Sequence, residues 1–483
     1  GLTTINQRAF YNCKLAEITI PSTVTSIGNG AFKGNPMKSI VWKPATCSIG
    51  SDSDAPFYST SSQVTSFTFA EGVETVPAYI CKNMNQLDTI VLPASVRSLG
   101  QAAFMYCTNL KSINLPVTQK TLPVSFLEGC TSLESIDLPA TLTTISSDAF
   151  YGCSKLANVN LHEGLTTINQ RAFYNCKLAE ITIPSTVTSI GNGAFKGNPT
   201  TTIVWKSANC SIGTDDNAPF YSTSSQVTSF VFGDSVQVIP AYLCKNMNLL
   251  DSIVIPPTVT SIGQSAFMYC YRLKSLTFPQ GIKTVATSIL EGCTALEEVF
   301  IPSSVTAINQ DAFYGCSALR AIHNLAFTPQ TITERAVYNV NKQTCILYVP
   351  MDYIDLYQTA NVWKDFLNII GVATDLQFED QLITVTYLKA DADHSPHYME
   401  SQHWQVPHAP RIEGFTFLRW EVQAGDLADG IFLQAVYEAN NPTDVPQDVV
   451  VNPANKAQKL IRNGNVYILQ DDKLYTITGT KIQ

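Results

Sequence analysis

The 483-residue chain is 45% apolar and 14% charged with a formal net charge of −9; it can bury a large core over two or more domains, and it is neither disordered nor collagen-like. It lacks the clustered Lys and Arg that nucleic acid or an anionic membrane surface would require. Its longest apolar runs, such as residues 366–373, fall far short of the roughly 20 residues that cross a bilayer. The sequence opens at Gly1 without a charged segment followed by an apolar one, so any secretion signal is expected to have lain upstream and been removed.

From the first residue the chain is repetitive. Residues 1–36 recur letter for letter as 164–199, and the correspondence runs on without a gap to about Ile322 at an offset of 163. Cys13, Cys47, Cys81, Cys107, Cys130 and Cys153 return as Cys176, Cys210, Cys244, Cys270, Cys293 and Cys316, leaving Cys345 without a counterpart. Each block is itself periodic. Aligning the position of Phe10 gives Phe32, Phe57, Cys81, Phe104, Leu127, Phe150 and Phe173, with steps of 22 to 25 residues and seven units to a block; a degenerate fifteenth unit follows near Val337.

Within a unit such as Leu110-Lys-Ser-Ile113-Asn-Leu115-Pro116, Ile113 and Leu115 share one face of a short strand, while Ser112 and Asn114 face the other way. Pro116 stops the strand, and an Ala-Phe pair such as Ala103-Phe104 sends a second apolar wedge back towards it. The half-dozen apolar side chains of one unit cannot offset the entropy of ordering it, so units must stack, each strand pairing in parallel with the next over one continuous core. Differences between the blocks agree with this. Ile113 becomes Leu276, Leu115 becomes Phe278 and Ile136 becomes Val299, all apolar, whereas the outward Asn114, Ser135 and Asp137 become Thr277, Glu298 and Phe300.

The unit Leu-x-x-Ile-x-Leu-Pro-x-x-(Leu/Val)-x-x-Ile-(Gly)-x-x-Ala-Phe-x-x-Cys resembles the BspA-like, or Treponema pallidum type, leucine-rich repeat. The resemblance covers about residues 1–350, and Leu347 to Pro350, Tyr353 to Tyr357 and Trp363 to Phe366 are similar to the usual end of such arrays. It implies an α/β-type repeat solenoid, right-handed, with a parallel β-sheet of about fifteen units, on a secreted or surface-attached bacterial protein that adheres to host cells or matrix. The units around Cys47 to Thr60 and Cys210 to Thr223 are irregular, and His323-Asn324 is expected to break the strand motif.

The domain reading is therefore a solenoid over 1–350, made of blocks 1–163 and 164–326 plus a terminal unit, with a cap at 351–375. From about Asp375 the pattern changes to alternating strands, Ile383 to Tyr387, Gly414 to Trp420 and Phe432 to Tyr437, giving a small β module at 376–440. Over residues 378–440 this stretch is similar to the Listeria-Bacteroides repeat, a β-grasp-like module of surface proteins. A proline-punctuated linker at 441–455 then leads to 456–483, which looks like the C-terminal sorting or anchoring segment of exported Bacteroidetes proteins.

Thirteen cysteines in a secreted chain would ordinarily suggest disulfides. Here Cys13, Cys107, Cys130, Cys153, Cys176, Cys270, Cys293 and Cys316 hold one position of the unit, so their side chains point in parallel instead of at one another, and buried reduced thiols are expected. With no Cys-x-x-Cys pair, zinc is not expected.

No Gly-x-Ser-x-Gly, His-Glu-x-x-His or Walker sequence occurs, and Gly28-Asn-Gly30-Ala-Phe-Lys-Gly34 only approaches a dinucleotide fingerprint inside ordinary repeat sequence. Neither an enzyme nor a cofactor is expected. His394, His397, His403 and His408 gather near Asp391 and Asp393, and Asp52 and Asp54, with Asp215 and Asp216, mark acidic loops at equivalent places in the two blocks; a solvated loop and exposed turns are the better readings of these than metal or calcium sites. The largest candidate site is the outward face of the stacked strands, roughly 65 to 70 Å long at a strand spacing of about 4.8 Å. It is lined by Glu17, Thr19, Ser112, Asn114, Ser135, Asp137, Glu180, Thr182, Ser275, Thr277, Glu298 and Phe300. Small hydroxyls dominate and aromatic anchors are few, which suits weak or multivalent contact with a host or matrix protein or glycan. The chain is expected to be a monomer. The competing reading is a spacer or envelope scaffold whose duplicated block only adds length.

Overall fold

Each unit carries two short apolar-inward segments separated by a proline or a turn, and most of these become strands, the segment at residues 252–255 being an exception. In the computed structural model, Ser112–Ile113 pairs in parallel with Thr89–Ile90, and Thr121–Leu122 pairs with Thr144–Ile145. The model describes residues 1–372 except 51, 59, 60 and 222, and beyond these the backbone of seven strands. The chain divides into two units, 1–372 and 373–483.

The first unit is a parallel-strand solenoid of about 16 turns. Its rungs are joined along three lines, of which the sequence reading foresaw one strand line and the wedge. The first line is the Leu-x-x-Ile-x-Leu strand, in segments such as Glu17–Ile20 with Ser39–Trp42 and Ser66–Phe69. The second is a further ladder, Thr121–Leu122, Thr144–Ile145, Thr167–Ile168, Ser189–Ile190 and Ser211–Ile212, running unbroken across the block boundary. The third is the wedge turn, where Phe104 N donates to Phe126 O and Phe150 N to Ala172 O. Three lines of backbone bonds leave few buried peptide groups unpaired. The turns opposite the outward strands are not α-helical; the one α-helix among the described residues is Ile354–Thr359, in the cap region.

The core is a column of like residues. Phe150 and Phe173 are fully buried with ring centroids 5.1 Å apart, and Phe173 stacks on Phe195 at 5.5 Å. All thirteen cysteines are thiols, eleven of them buried. They form a ladder of their own: Cys107 Sγ donates to Cys81 O at 3.1 Å, Cys130 to Phe104 O at 3.3 Å, Cys153 to Leu127 O at 3.1 Å and Cys176 to Phe150 O at 3.2 Å, each reaching back 26 residues. Burial pushes these thiols up, to about 12 for Cys107 and Cys153. Cys13 departs from the expectation. It is exposed, and its thiol donates to Tyr11 O at 3.7 Å instead of to a carbonyl 26 residues earlier.

Glycine enters the motif for a steric reason. A Cβ on Gly100 would stand 2.2 Å from Ala78 N of the preceding rung, and one on Gly263 would stand 2.3 Å from Ala241 N. The expected break at His323-Asn324 does not occur. Ala321–Asn324 is a strand paired with Glu298–Ile301 and Ile346–Pro350, because Asn324 is fully buried and bonded to Gln330 at 2.8 Å while His323 simply faces outward.

In the second unit, Leu382–Ala390 pairs antiparallel with Pro396–Gln405. Phe415–Gln423, Phe432–Ala439, Gln458–Arg462, Asn465–Gln470 and Lys473–Thr476 form one antiparallel sheet. Strands therefore occur at all three places the alternation marked, and the last sheet also takes in residues of the 456–483 segment.

Candidate binding face

The outward face is built by alternation: when the inward residue of a strand is buried, its neighbours must face solvent. Glu17, Thr19, Ser112, Asn114, Ser135, Asp137, Glu180, Thr182, Ser275 and Thr277 are all exposed, and Glu298 and Phe300 are half-buried. The structure thus places these twelve side chains along one edge of the rungs, though not as one continuous sheet. The outward strands fall into separate groups, with breaks after Ser66–Phe69 and after Asn158–Val159 among others.

Two local environments differ from the sequence reading. Asn114 is committed to the fold, its amide bonding both Leu92 N at 2.7 Å and Leu92 O at 2.8 Å. Phe300 is not a lone exposed aromatic. It stacks on His323 at 4.2 Å, and His323 stacks in turn on Tyr348 at 4.5 Å, while His323 Nε2 lies 2.7 Å from Glu298 Oε1. Register could have revealed this column, since Phe300, His323 and Tyr348 occupy the same strand position in successive units. In the acidic turns, Asp52, Asp54, Asp215 and Asp216 are exposed, as expected, and Asp52 pairs with Lys82 and Asp215 with Lys245.

The face opens where the two blocks meet. A cavity of about 620 Å³ lies there, lined by Ser135, Asp137, Asn158, Asn160, Lys177, Glu180 and Thr182 over a floor that includes Val159, Leu161 and Phe173. The arc into the strand changes length at this point. The last unit of the first block runs Cys153-Ser-Lys-Leu156 into its strand, whereas the first unit of the second runs Cys176-Lys-Leu178. Glu180–Ile183 pairs with Thr202–Trp205, whose unit is equally short, and not with Asn158–Val159. On this side the rungs keep the bond from Lys177 N to Leu156 O at 2.9 Å, and the second ladder and the wedge turns stay closed behind them. Only the outward side parts, and Val159 becomes half-exposed where Ile136 and Ile181 in the flanking rungs are buried. Leu178 survives the shortened arc because Asn198 accepts its N–H at 3.0 Å and donates to Phe173 O at 2.7 Å and Phe195 O at 2.8 Å.

Among the described residues no three His, Cys, Asp or Glu converge as a metal site would need, and no helix is long and apolar enough to cross a membrane. Of the histidine cluster, His394, His408, Asp391 and Asp393 lie outside the described residues. His397 and His403 fall on the strand Pro396–Gln405, so part of the stretch expected as loop is extended.

The family model of the BspA type leucine rich repeat region matches in six copies, over residues 1–111, 74–202 and 214–344. No curated protein matches the chain. Among solved structures, a leucine-rich repeat protein from Bacteroides ovatus is 23% identical, with 72% of this chain and 87% of that one covered at a TM-score of 0.53, and it shares the solenoid fold. A leucine rich cell surface protein from Faecalibacterium prausnitzii is 23% identical over 74% of this chain and 91% of that one at a TM-score of 0.34. The pneumococcal vaccine antigen PcpA is 16% identical over 77% and 93% at 0.37. The family match ends at residue 344, so the likeness of residues 378–440 to the Listeria-Bacteroides repeat rests on their own sequence.

Proposed function

Because the chain belongs to the BspA-type leucine-rich repeat family, we propose that it is a non-enzymatic protein of the bacterial exterior, secreted or held at the outer face of the envelope, that adheres to host or matrix proteins or glycans through the outward face of its solenoid. The observation that carries this reading is the exposure of ten of the twelve outward side chains named above, repeated rung after rung along the array. A long face of small polar groups makes many weak contacts, and its strength comes from repetition more than from a single anchor. The C-terminal unit is proposed to act as an accessory or anchoring module.

Direct binding of the purified chain to extracellular-matrix proteins, mucins and a glycan array tests the reading. Saturable binding that weakens when outward residues of several rungs are replaced together supports it. Absence of binding to every probe favours the spacer, a role consistent with a block copied letter for letter over its first 36 residues.

A further inference from the structure

The joint between the blocks is a concavity in the outward face. Its volume of about 620 Å³ falls within the range of small-molecule sites, roughly 300 to 1,000 Å³. The groups around it come from both sides: Asp137 and Asn158 from the end of the first block, Lys177 and Glu180 from the start of the second. Neither block alone contains it.

We propose that this joint is a binding site for a neutral oligosaccharide. The proposal rests on the reading that the outward face binds, and it names the ligand class for one place on that face. The lining selects against the alternatives in turn. An apolar ligand would strip water from the carboxylates of Asp137 and Glu180 and give them no hydrogen bond in return. An anion would meet two carboxylates against the single ammonium of Lys177. A sugar ring offers hydroxyls that both donate and accept, matching carboxylate acceptors beside amides that do both, and its C–H face fits the half-exposed Val159. Asp137, Asn158 and Glu180 are exposed side chains, so replacing them leaves the core intact.

The test is binding of the full chain to an array of neutral oligosaccharides of two to six sugars, followed by titration of the strongest hit. The wild type is compared with Asp137→Ala/Glu180→Ala, with Asn158→Ala, and with Glu17→Ala/Thr19→Ala at the far end of the face; circular dichroism checks that each is folded. The expected result is saturable binding, weakened at least tenfold by the first two variants and unchanged by the third. Equal binding by all variants overturns the joint as the site while leaving adhesion by the face. Binding of matrix proteins without any oligosaccharide overturns the sugar and leaves the adhesion reading. A lysine-rich peptide bound through Asp137 and Glu180, with no sugar bound, reassigns the joint to a cationic partner and overturns the proposal, and binding of no probe overturns both readings.

Discussion

Replacing Gly100 by alanine tests how tightly the rungs are stacked. Gly100 follows the strand Ser98–Leu99 and donates its N–H to Val76 O at 2.8 Å. A Cβ there would lie 2.2 Å from Ala78 N and 2.6 Å from Pro77 C. Carbon contacts settle near 3.5 Å, so the neighbouring backbone would have to retreat by about 1 Å in a stack whose spacing is fixed by three lines of hydrogen bonds. Overpacking of this kind costs about 1–3 kcal/mol, and weakening the bond to Val76 adds about 1 kcal/mol. Gly100→Ala is therefore expected to destabilise by about 3 kcal/mol. Gly72 supplies the control, since its φ is +90° and a Cβ there would meet nothing within 4 Å; Gly72→Ala should cost only the left-handed strain of about 1–2 kcal/mol. Gly263, its Cβ site 2.3 Å from Ala241 N, repeats the first case in the other block, and the two losses should add because the sites share no partners. Urea unfolding followed by circular dichroism gives the midpoints, and hydrogen exchange at the affected rung shows whether the loss is local, as linked repeats permit. A Gly100→Ala loss no greater than that of Gly72→Ala would refute the steric argument.

Two further predictions concern the interior. Burial raises the thiols from an ordinary value of 9.0, to about 11 for Cys47 and about 12 for Cys107 and Cys153. Between these values the unfolded chain holds fewer protons than the folded one, so stability is fully present below pH 9 and falls as pH rises towards 12; the urea midpoint should drop from pH 8 to pH 10, less steeply in Cys107→Ala/Cys153→Ala, and an equal drop in that variant would count against the thiols as the cause. Asn198→Ala should cost about 3 kcal/mol or more, since it strands Leu178 N–H and the carbonyls of Phe173 and Phe195 away from water. Asn35→Ala removes the same three bonds in the first block but in a more exposed rung, so thermal melts should rank its loss below that of Asn198→Ala.

Much of the solenoid is legible because each rung repeats the same local instruction: Ile and Leu inward, proline to stop, Ala-Phe to return. What the sequence hid depends on neighbours. The second ladder was missed because two-residue strands such as Thr144–Ile145 are too short to show alternation. His323 looked like an interruption because its residue type was weighed without its register; placed between Phe300 and Tyr348 it continues a column. Asn114 looked like a free polar group, and only the position of Leu92 shows that it is occupied. The joint is the sharpest case. The shortened arc of Cys176-Lys177-Leu178 was visible as a 22-residue step, but that Glu180–Ile183 does not pair with Asn158–Val159 shows only in the structure.

The same short arc stands at the start of the first block, as Cys13-Lys14-Leu15, so every copy of the block carries half of a joint at its leading end. Joined as these two are, three copies would contain two clefts and four copies three, at equal spacing along one edge. Tandem duplication of such a block is thus a way of setting valency: recombination that changes the copy number changes how many clefts the protein presents, and divergence of the trailing unit, as from Asp137 to Phe300, changes what lines each of them.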